Sequence, residues 1–237
     1  MRTLVISDIH GNIDALQAID ESYDNIICMG DIVDYGPNPR ECIEFLRERN
    51  LHRTRGNHDD AVAFRRDCRT RGPYRHLSVS TRPYSWAVLD RANIWWLGEP
   101  ATSVFTELDG FRLFACHGAP SSHMFKYLRP DTPDEELARE AALIDADIIV
   151  TGHSHLPFIK RFDSKLLVNV GSVGQPRDGI PKACYAIIDN GDVQIRRVEY
   201  DVEAVVARTM ALPVDERVLK QLAYLLEKAK APPPAEA

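Results

Sequence analysis

The chain has 237 residues, 44% hydrophobic and 27% charged, enough to bury one substantial core and too apolar for a disordered or collagen-like chain. Its 29 Lys+Arg against 35 Asp+Glu give a formal charge of −6, which supplies no broad basic footprint for nucleic acid or an anionic membrane. There is no 18-residue apolar stretch and no signal-peptide pattern, and the five cysteines lack a C-x-x-C pair, so the expectation is a soluble, cytoplasmic chain with reduced thiols. Strands are predicted at Thr3–Ser7, Asn25–Met29 and Leu51–Thr54, with a helix over Pro39–Arg49 opening at Asn38. From Asp60 to Gly110 the text turns Arg-rich, aromatic-rich and helical, carrying Tyr74, Tyr84, Trp86, Trp95 and Trp96. It reads as an insertion whose aromatics fill a helical layer, the alternative being a grip on a nucleobase or aryl group. Strands follow at Arg112–Ala115, Asp147–Val150 and Lys165–Val170, around a helix over Pro133–Leu143 with Thr132 and Glu135 as its capping box. Ala183–Asp189 and Val193–Glu199 flank Asn190-Gly191 as a hairpin with a two-residue turn. Helices over Val202–Met210 and Asp215–Lys230 precede a Pro-rich tail at 231–237, expected to be disordered. The alternation predicts an α/β layered fold with a mixed sheet, one domain over 1–230 with a helical insertion at about 60–110.

The chemistry lies where polar residues meet the strand ends. Asp8, His10 and Asn12 follow the first strand, Asp31 and Asp34 the second, and Asn57, His58 and Asp59 the third. His117 follows the fourth, and His153 and His155 the fifth, each group beside a glycine. In open α/β sheets ligands bind at the carboxyl ends of the strands, and glycine lets the backbone turn sharply there. Two carboxylates (Asp8, Asp31), one amide (Asn57) and four imidazoles (His10, His117, His153, His155) are too many donors for one ion and suit two sharing a bridge. Two neighbouring cations repel unless anions lie between them, so a bridging carboxylate and a hydroxide made from water are the natural partners. Four positive units against Asp8 and Asp31 leave about +2, which draws a phosphate ester despite the acidic surface. For Asp59, capping of the following helix is expected. His52, His76 and His123 carry no functional expectation.

The ordered series D-x-H, G-D-x-x-D, G-N-H-D, H and G-H-x-H, from Asp8 to His155, resembles the calcineurin-like metallophosphoesterase superfamily. The fragments GDIVDYGPNP, RGNHDD, CHGAP and NVGSVGQPRDG resemble its small bacterial and archaeal phosphodiesterase-like branch. That resemblance implies a two-sheet β-sandwich flanked by helices, a four-layer α-β-β-α fold. It implies hydrolysis of phosphodiesters, and of monoesters as a further activity, by in-line attack of a metal-bridging hydroxide. Asp8, His10, Asp31 and His155 would hold the first ion, with Asp31 bridging; Asn57, His117 and His153 would complete the second. His58 would donate to the leaving oxygen, oriented by Asp34.

Asn12, Tyr35, Arg55 and Arg177 sit in or beside the motif loops as candidate substrate-binding residues, a solvated surface role being the alternative for the arginines. Tyr35 stands where the protein-phosphatase and dinucleoside-tetraphosphatase branch has the arginine of D-R-G. This disfavours phosphoprotein and diadenosine substrates and favours a less charged diester or an aryl phosphate. The mixed donor set suits Mn²⁺, with Fe or Zn²⁺ as alternatives. The expected partner is a small phosphoester, with no membrane; nucleic acid is disfavoured by the charge but stays open, and an exposed aromatic patch in the insertion would indicate a homodimer. The competing readings are a phosphomonoesterase of the same superfamily and a non-enzymatic scaffold of the same fold, the latter opposed by retention of all seven ligands.

Overall fold

Alternation of side chains along the strands builds the layers. In β1 (Thr3–Ile6) and β2 (Asn25–Cys28), Leu4, Ile6, Ile26 and Cys28 face one way, Val5 and Ile27 the other, and all are buried. The first set packs under α1 (Ile13–Gln17) and α2 (Pro39–Arg47) through Ala15, Leu16, Cys42, Ile43 and Leu46. The second set meets Leu113, Ala115, Val150 and Val168 of another sheet. The far face of that sheet, with Phe114, Ile149 and Leu167, packs on Leu137 and Ala141 of a helix spanning Asp134–Ala142. Helix, sheet, sheet, helix are the four layers that the resemblance implied. This computed structural model describes residues 1–233.

β3 (Leu51–Arg53), β9 (Ala183–Asp189) and β10 (Asp192–Val198) complete the first sheet in the order β10-β9-β1-β2-β3, with β1, β2 and β3 parallel and the β9–β10 hairpin antiparallel. Asn190 and Gly191, at φ +48° and +78°, make its predicted two-residue turn. The second sheet holds β4 (Ser103–Leu108), β5 (Phe111–Cys116), β6 (Ile148–Thr151), β7 (Phe158–Phe162) and β8 (Lys165–Asn169) in the order β4-β5-β6-β8-β7, with β5, β6 and β8 parallel.

Sequence reasoning passed over β4 and β7, and both are edge strands. One face of each meets solvent and carries residues such as Glu107 and Arg161, so no buried apolar run announces them. The helical text of 60–110 forms α3 (Asn57–Phe64), α4 (Tyr74–Val88) and α5 (Arg91–Gly98), but it stops at Gly98 and the chain then enters β4. Trp96 is buried, Trp86 donates through Nε1 to the Val62 carbonyl at 3.0 Å, and the Tyr84 hydroxyl donates to the Pro37 carbonyl at 2.9 Å. Trp95 and Phe64 remain exposed.

In α6 (Asp134–Ala142) the expected capping box is not made. Pro133 takes the cap position, and the Thr132 hydroxyl instead accepts from the Arg129 amide at 3.0 Å. α7 (Val202–Met210) and α8 (Glu216–Lys228) are capped by Asp201 and Asp215. Beyond α8, Pro232 is buried and the Pro233 carbonyl accepts from Gln221 at 2.9 Å; the rest of the tail expected to be disordered, 234–237, lies outside the described residues. Among the described residues no helix is long and apolar enough to cross a membrane.

Candidate metal centre

The loops after β1, β2 and β6 share an unusual backbone. Asp8, His10, Asp31, Asp34, His153 and His155 all have φ between +49° and +65°, a left-handed conformation that costs non-glycine residues roughly 1–3 kcal/mol each. Such strain concentrates where a fold must aim side chains at one point, and here it falls on six of the residues singled out from the sequence. Gly30 (φ +84°) and Gly56 let the loops after β2 and β3 touch: a Cβ on Gly30 would lie 2.2 Å from the Gly56 amide nitrogen, and one on Gly56 2.1 Å from Asp31 Oδ1.

These loops bring the donors together as two buried groups, Asp8 with His10 and His155, and Asp31 with His117 and His153. Each carboxylate has one oxygen satisfied by donors and one aimed inward. Asp8 Oδ2 accepts from the Ser7 hydroxyl (2.6 Å) and the His153 amide (2.9 Å), and Asp31 Oδ1 accepts from the His58 amide (2.8 Å). Asp8 Oδ1 and Asp31 Oδ2 are buried without a hydrogen-bond partner. The imidazoles follow the same rule. His10, His117 and His155 turn Nδ1 to the carbonyls of Val33, Met29 and Gln175 at 2.9, 2.8 and 2.6 Å, which puts the Nδ1 proton there and leaves Nε2 as the inward lone pair. His10 Nε2 then faces His155 Nε2 at 3.4 Å, and His155 Nε2 is 3.0 Å from Asp8 Oδ1.

His117 Nε2 lies 3.0 Å from Asn57 Oδ1, 3.0 Å from His153 Nδ1 and 3.1 Å from Asp31 Oδ2. Asn57 is held amide-outward by the Cys68 carbonyl at 2.8 Å, so its oxygen points in. Acceptors facing acceptors at hydrogen-bond distance repel unless a cation lies among them. The field agrees. Burial alone would lower His117, yet Asp31 and Asp8 raise it to about 9, so without an ion the carboxylates draw a proton to its Nε2, the positive charge that a metal would replace, whereas burial and neighbouring imidazoles push His10 and His153 well below the ordinary histidine value. Divalent cations therefore fit this donor set, and all seven residues expected from the sequence are in it.

His58 stands beside the centre with its ring turned differently. Nδ1 is 2.8 Å from Asp34 Oδ2, while Nε2 is 3.0 Å from the Thr70 hydroxyl and 3.9 Å from Asp31 Oδ2. Burial opposes its charge, but the Asp31 carboxylate and the Asp34 hydrogen bond hold its pKa above the ordinary value, which favours its protonated form. Sequence reasoning missed Arg82 of α4, which donates through Nε and Nη2 to the same Asp34 oxygen at 3.0 and 2.7 Å. It also missed Thr81, whose hydroxyl accepts from the Tyr35 amide at 3.0 Å and ties α4 to the loop after β2. Asp59 caps α3 as expected, but it also accepts from the Asp31 and Ile32 amides at 2.7 and 2.9 Å and so sets the Asp31 loop. Arg82→Leu strands the buried Asp34 charge and is expected to cost about 3–5 kcal/mol by urea unfolding, with Arg82→Lys recovering part of the loss. Unchanged stability and turnover in Arg82→Leu would remove the positioning role.

The four candidate substrate contacts separate. Asn12 is committed to structure: its oxygen caps α1 at the Ala15 amide (3.1 Å) and its nitrogen donates to the Gly174 carbonyl (3.0 Å). Arg55 turns away to Asp60 at 3.1 Å and to the Gly98 carbonyl. Tyr35 is buried among Leu77, Leu222 and Leu225, its ring 4.8 Å from that of His10 and 5.1 Å from that of His58, so it packs behind the imidazoles rather than reaching outward. Arg177 alone lines a cleft, of about 400 Å³, that opens beside the His153–His155 loop with Arg71, Tyr74, Tyr127, Arg129 and Ser154. The Tyr127 ring stacks on His153 with centroids 3.9 Å apart. A larger cavity of about 530 Å³, between α3 and α5, is lined by Trp86 and Trp95 and contains none of the converging donor atoms.

A two-sheet sandwich with paired Asp, His and Asn acceptors at its strand ends defines a metal-dependent phosphoesterase. Residues 1–192 match the calcineurin-like phosphoesterase superfamily domain; the chain belongs to that superfamily and is a metal-dependent phosphoric ester hydrolase. It is 35% identical over 222 residues to an uncharacterised protein of Methanocaldococcus jannaschii, covering 84% of this chain and 88% of that one. It is 26% identical to the phosphodiesterase YfcE of Escherichia coli, over 80% of this chain and 88% of YfcE. A solved metallophosphoesterase from Sphaerobacter thermophilus superposes with a TM-score of 0.79 at 29% identity, over 94% of this chain and 98% of that one.

Proposed function

We propose that the protein is a binuclear phosphodiesterase. The observation that carries this reading is the pair of buried acceptor groups, with Asp8 Oδ1 and Asp31 Oδ2 left without donors between them. Asp8, His10 and His155 would hold one cation and Asn57, His117 and His153 the other, with Asp31 shared. Two divalent cations held there would supply charge to neutralise the phosphoryl oxygens and would acidify water to a nucleophile at neutral pH. Imidazole, carboxylate and amide donors together suit Mn²⁺, Fe or Zn²⁺ better than Mg²⁺ alone.

The remaining work belongs to the chain. His58, oriented through Nδ1 by Asp34 and Arg82, presents Nε2–H to the leaving oxygen and supplies the proton that an alkoxide needs. Arg177 stands at the cleft wall to contact the ester. The burial of Tyr35, where another branch of the superfamily has a phosphate-binding arginine, supports a diester over a phosphoprotein. Removing metal with a chelator is expected to abolish hydrolysis of bis(p-nitrophenyl) phosphate, and Mn²⁺ to restore it, with about two ions per chain by elemental analysis. Full activity with a single ion, or turnover of an aryl monoester but no diester, would overturn the reading.

A further inference from the structure

We propose that the cleft beside the imidazoles binds a 5′-phosphorylated nucleoside, which makes short oligonucleotides with a terminal phosphate the substrate class; this rests on the phosphodiesterase reading above. A diester carries one negative charge at the scissile phosphate, and the metal centre already answers it. The cleft adds the guanidinium groups of Arg71, Arg129 and Arg177 with no carboxylate in its wall, in a chain whose net charge is −6. Among the described residues none of the three is in an ion pair. Arg177 Nε is buried and has no hydrogen-bond partner, although Nη2 donates to Gln175 Oε1 at 2.6 Å. Three unneutralised guanidiniums address a second anion on the same ligand, and a terminal phosphate brings nearly two further charges and three acceptor oxygens.

The cleft also offers planes. The Arg177 guanidinium lies 3.7 Å over the Tyr74 ring, and both line the cleft as flat groups on which a base can stack, while Tyr127 continues the surface from His153 to the cleft. Arg129 stands 5.4 Å from the Tyr127 centroid. A volume of about 400 Å³ suits a single nucleotide-sized group. The acidic remainder of the surface disfavours a long strand, whose binding needs an extended basic track.

The test compares Mn²⁺-loaded protein on 5′-phosphorylated diadenylate, unphosphorylated diadenylate and bis(p-nitrophenyl) phosphate. The wild type is expected to prefer the phosphorylated over the unphosphorylated dinucleotide by about tenfold in kcat/KM, carried mainly by KM. The Arg71→Gln/Arg129→Gln double variant is expected to bring that ratio close to one. No preference in the wild type, or a preference untouched by the double variant, overturns the proposal. Failure on all three esters instead removes the phosphodiesterase reading, and the cleft is then read without turnover. Calorimetric titration of chelator-treated protein should show 5′-AMP binding about tenfold tighter than adenosine, and weaker in the double variant. Equal affinity for the two, or no 5′-AMP binding, overturns the nucleotide site.

Discussion

Asp31→Asn is expected to lower metal-dependent turnover by at least about 10²–10³-fold, the scale seen when one electrostatic contact to the reacting group is lost, while the protein stays folded. Asp31 Oδ1 is tied to the His58 amide, so the inward oxygen Oδ2 is the one free to meet a cation, and it lies 3.1 Å from His117 Nε2. The amide is nearly the same shape, but it removes the charge that would sit between two cations and presents either a weaker oxygen or a repelling N–H₂. Metal content should fall from about two ions per chain to one or fewer, with the circular-dichroism spectrum unchanged. A variant that keeps both ions and normal rates would show that Asp31 is not the shared ligand.

His58→Ala is the second large effect, and its signature is selectivity rather than size. General acids contribute roughly 10²–10⁴-fold where the leaving group needs a proton. An alkyl ester should therefore lose about that factor, whereas a nitrophenyl ester, whose leaving oxygen is already stable as an anion, should lose about tenfold or less. The alkaline limb of the pH profile follows from the same ring. The raised pKa of His58 extends its protonated form above the ordinary histidine range, and alkyl-ester activity should fall as the pH climbs past it, a limb absent in the variant. Equal losses on both esters would reduce His58 to a spacer.

Much of the centre was legible in the chain because its parts are local. A strand buried on both faces, as in β1, β2 and β6, reads as a continuous apolar run, and the residue that breaks it is the residue at the carboxyl edge. Five such breaks in order, carrying Asp8, His10, Asp31, Asn57, His117, His153 and His155, are a pattern that needs no knowledge of distance. Tyr35 illustrates the limit of this reading. Its neighbours placed it in a motif loop, but a left-handed turn at φ +64° sends the ring inward among residues of α4 and α8, a direction no local pattern encodes.

What the amino-acid order determined by itself was the α/β class, the candidate donor set and the chemistry that such a set supports, since strand period, turn chemistry and donor type are properties of neighbouring residues. The tertiary structure alone decided that the strand ends belong to two facing sheets, that β4 and β7 close the second as charged edges, and that the insertion forms a wall of the site. Arg82 meets Asp34 across 48 residues of chain, and Tyr127 meets His153 only because β5 and β6 lie side by side. Such pairings arise from helix and sheet packing, where shape and burial across distant segments select the partner and the sequence between them carries no trace of the choice.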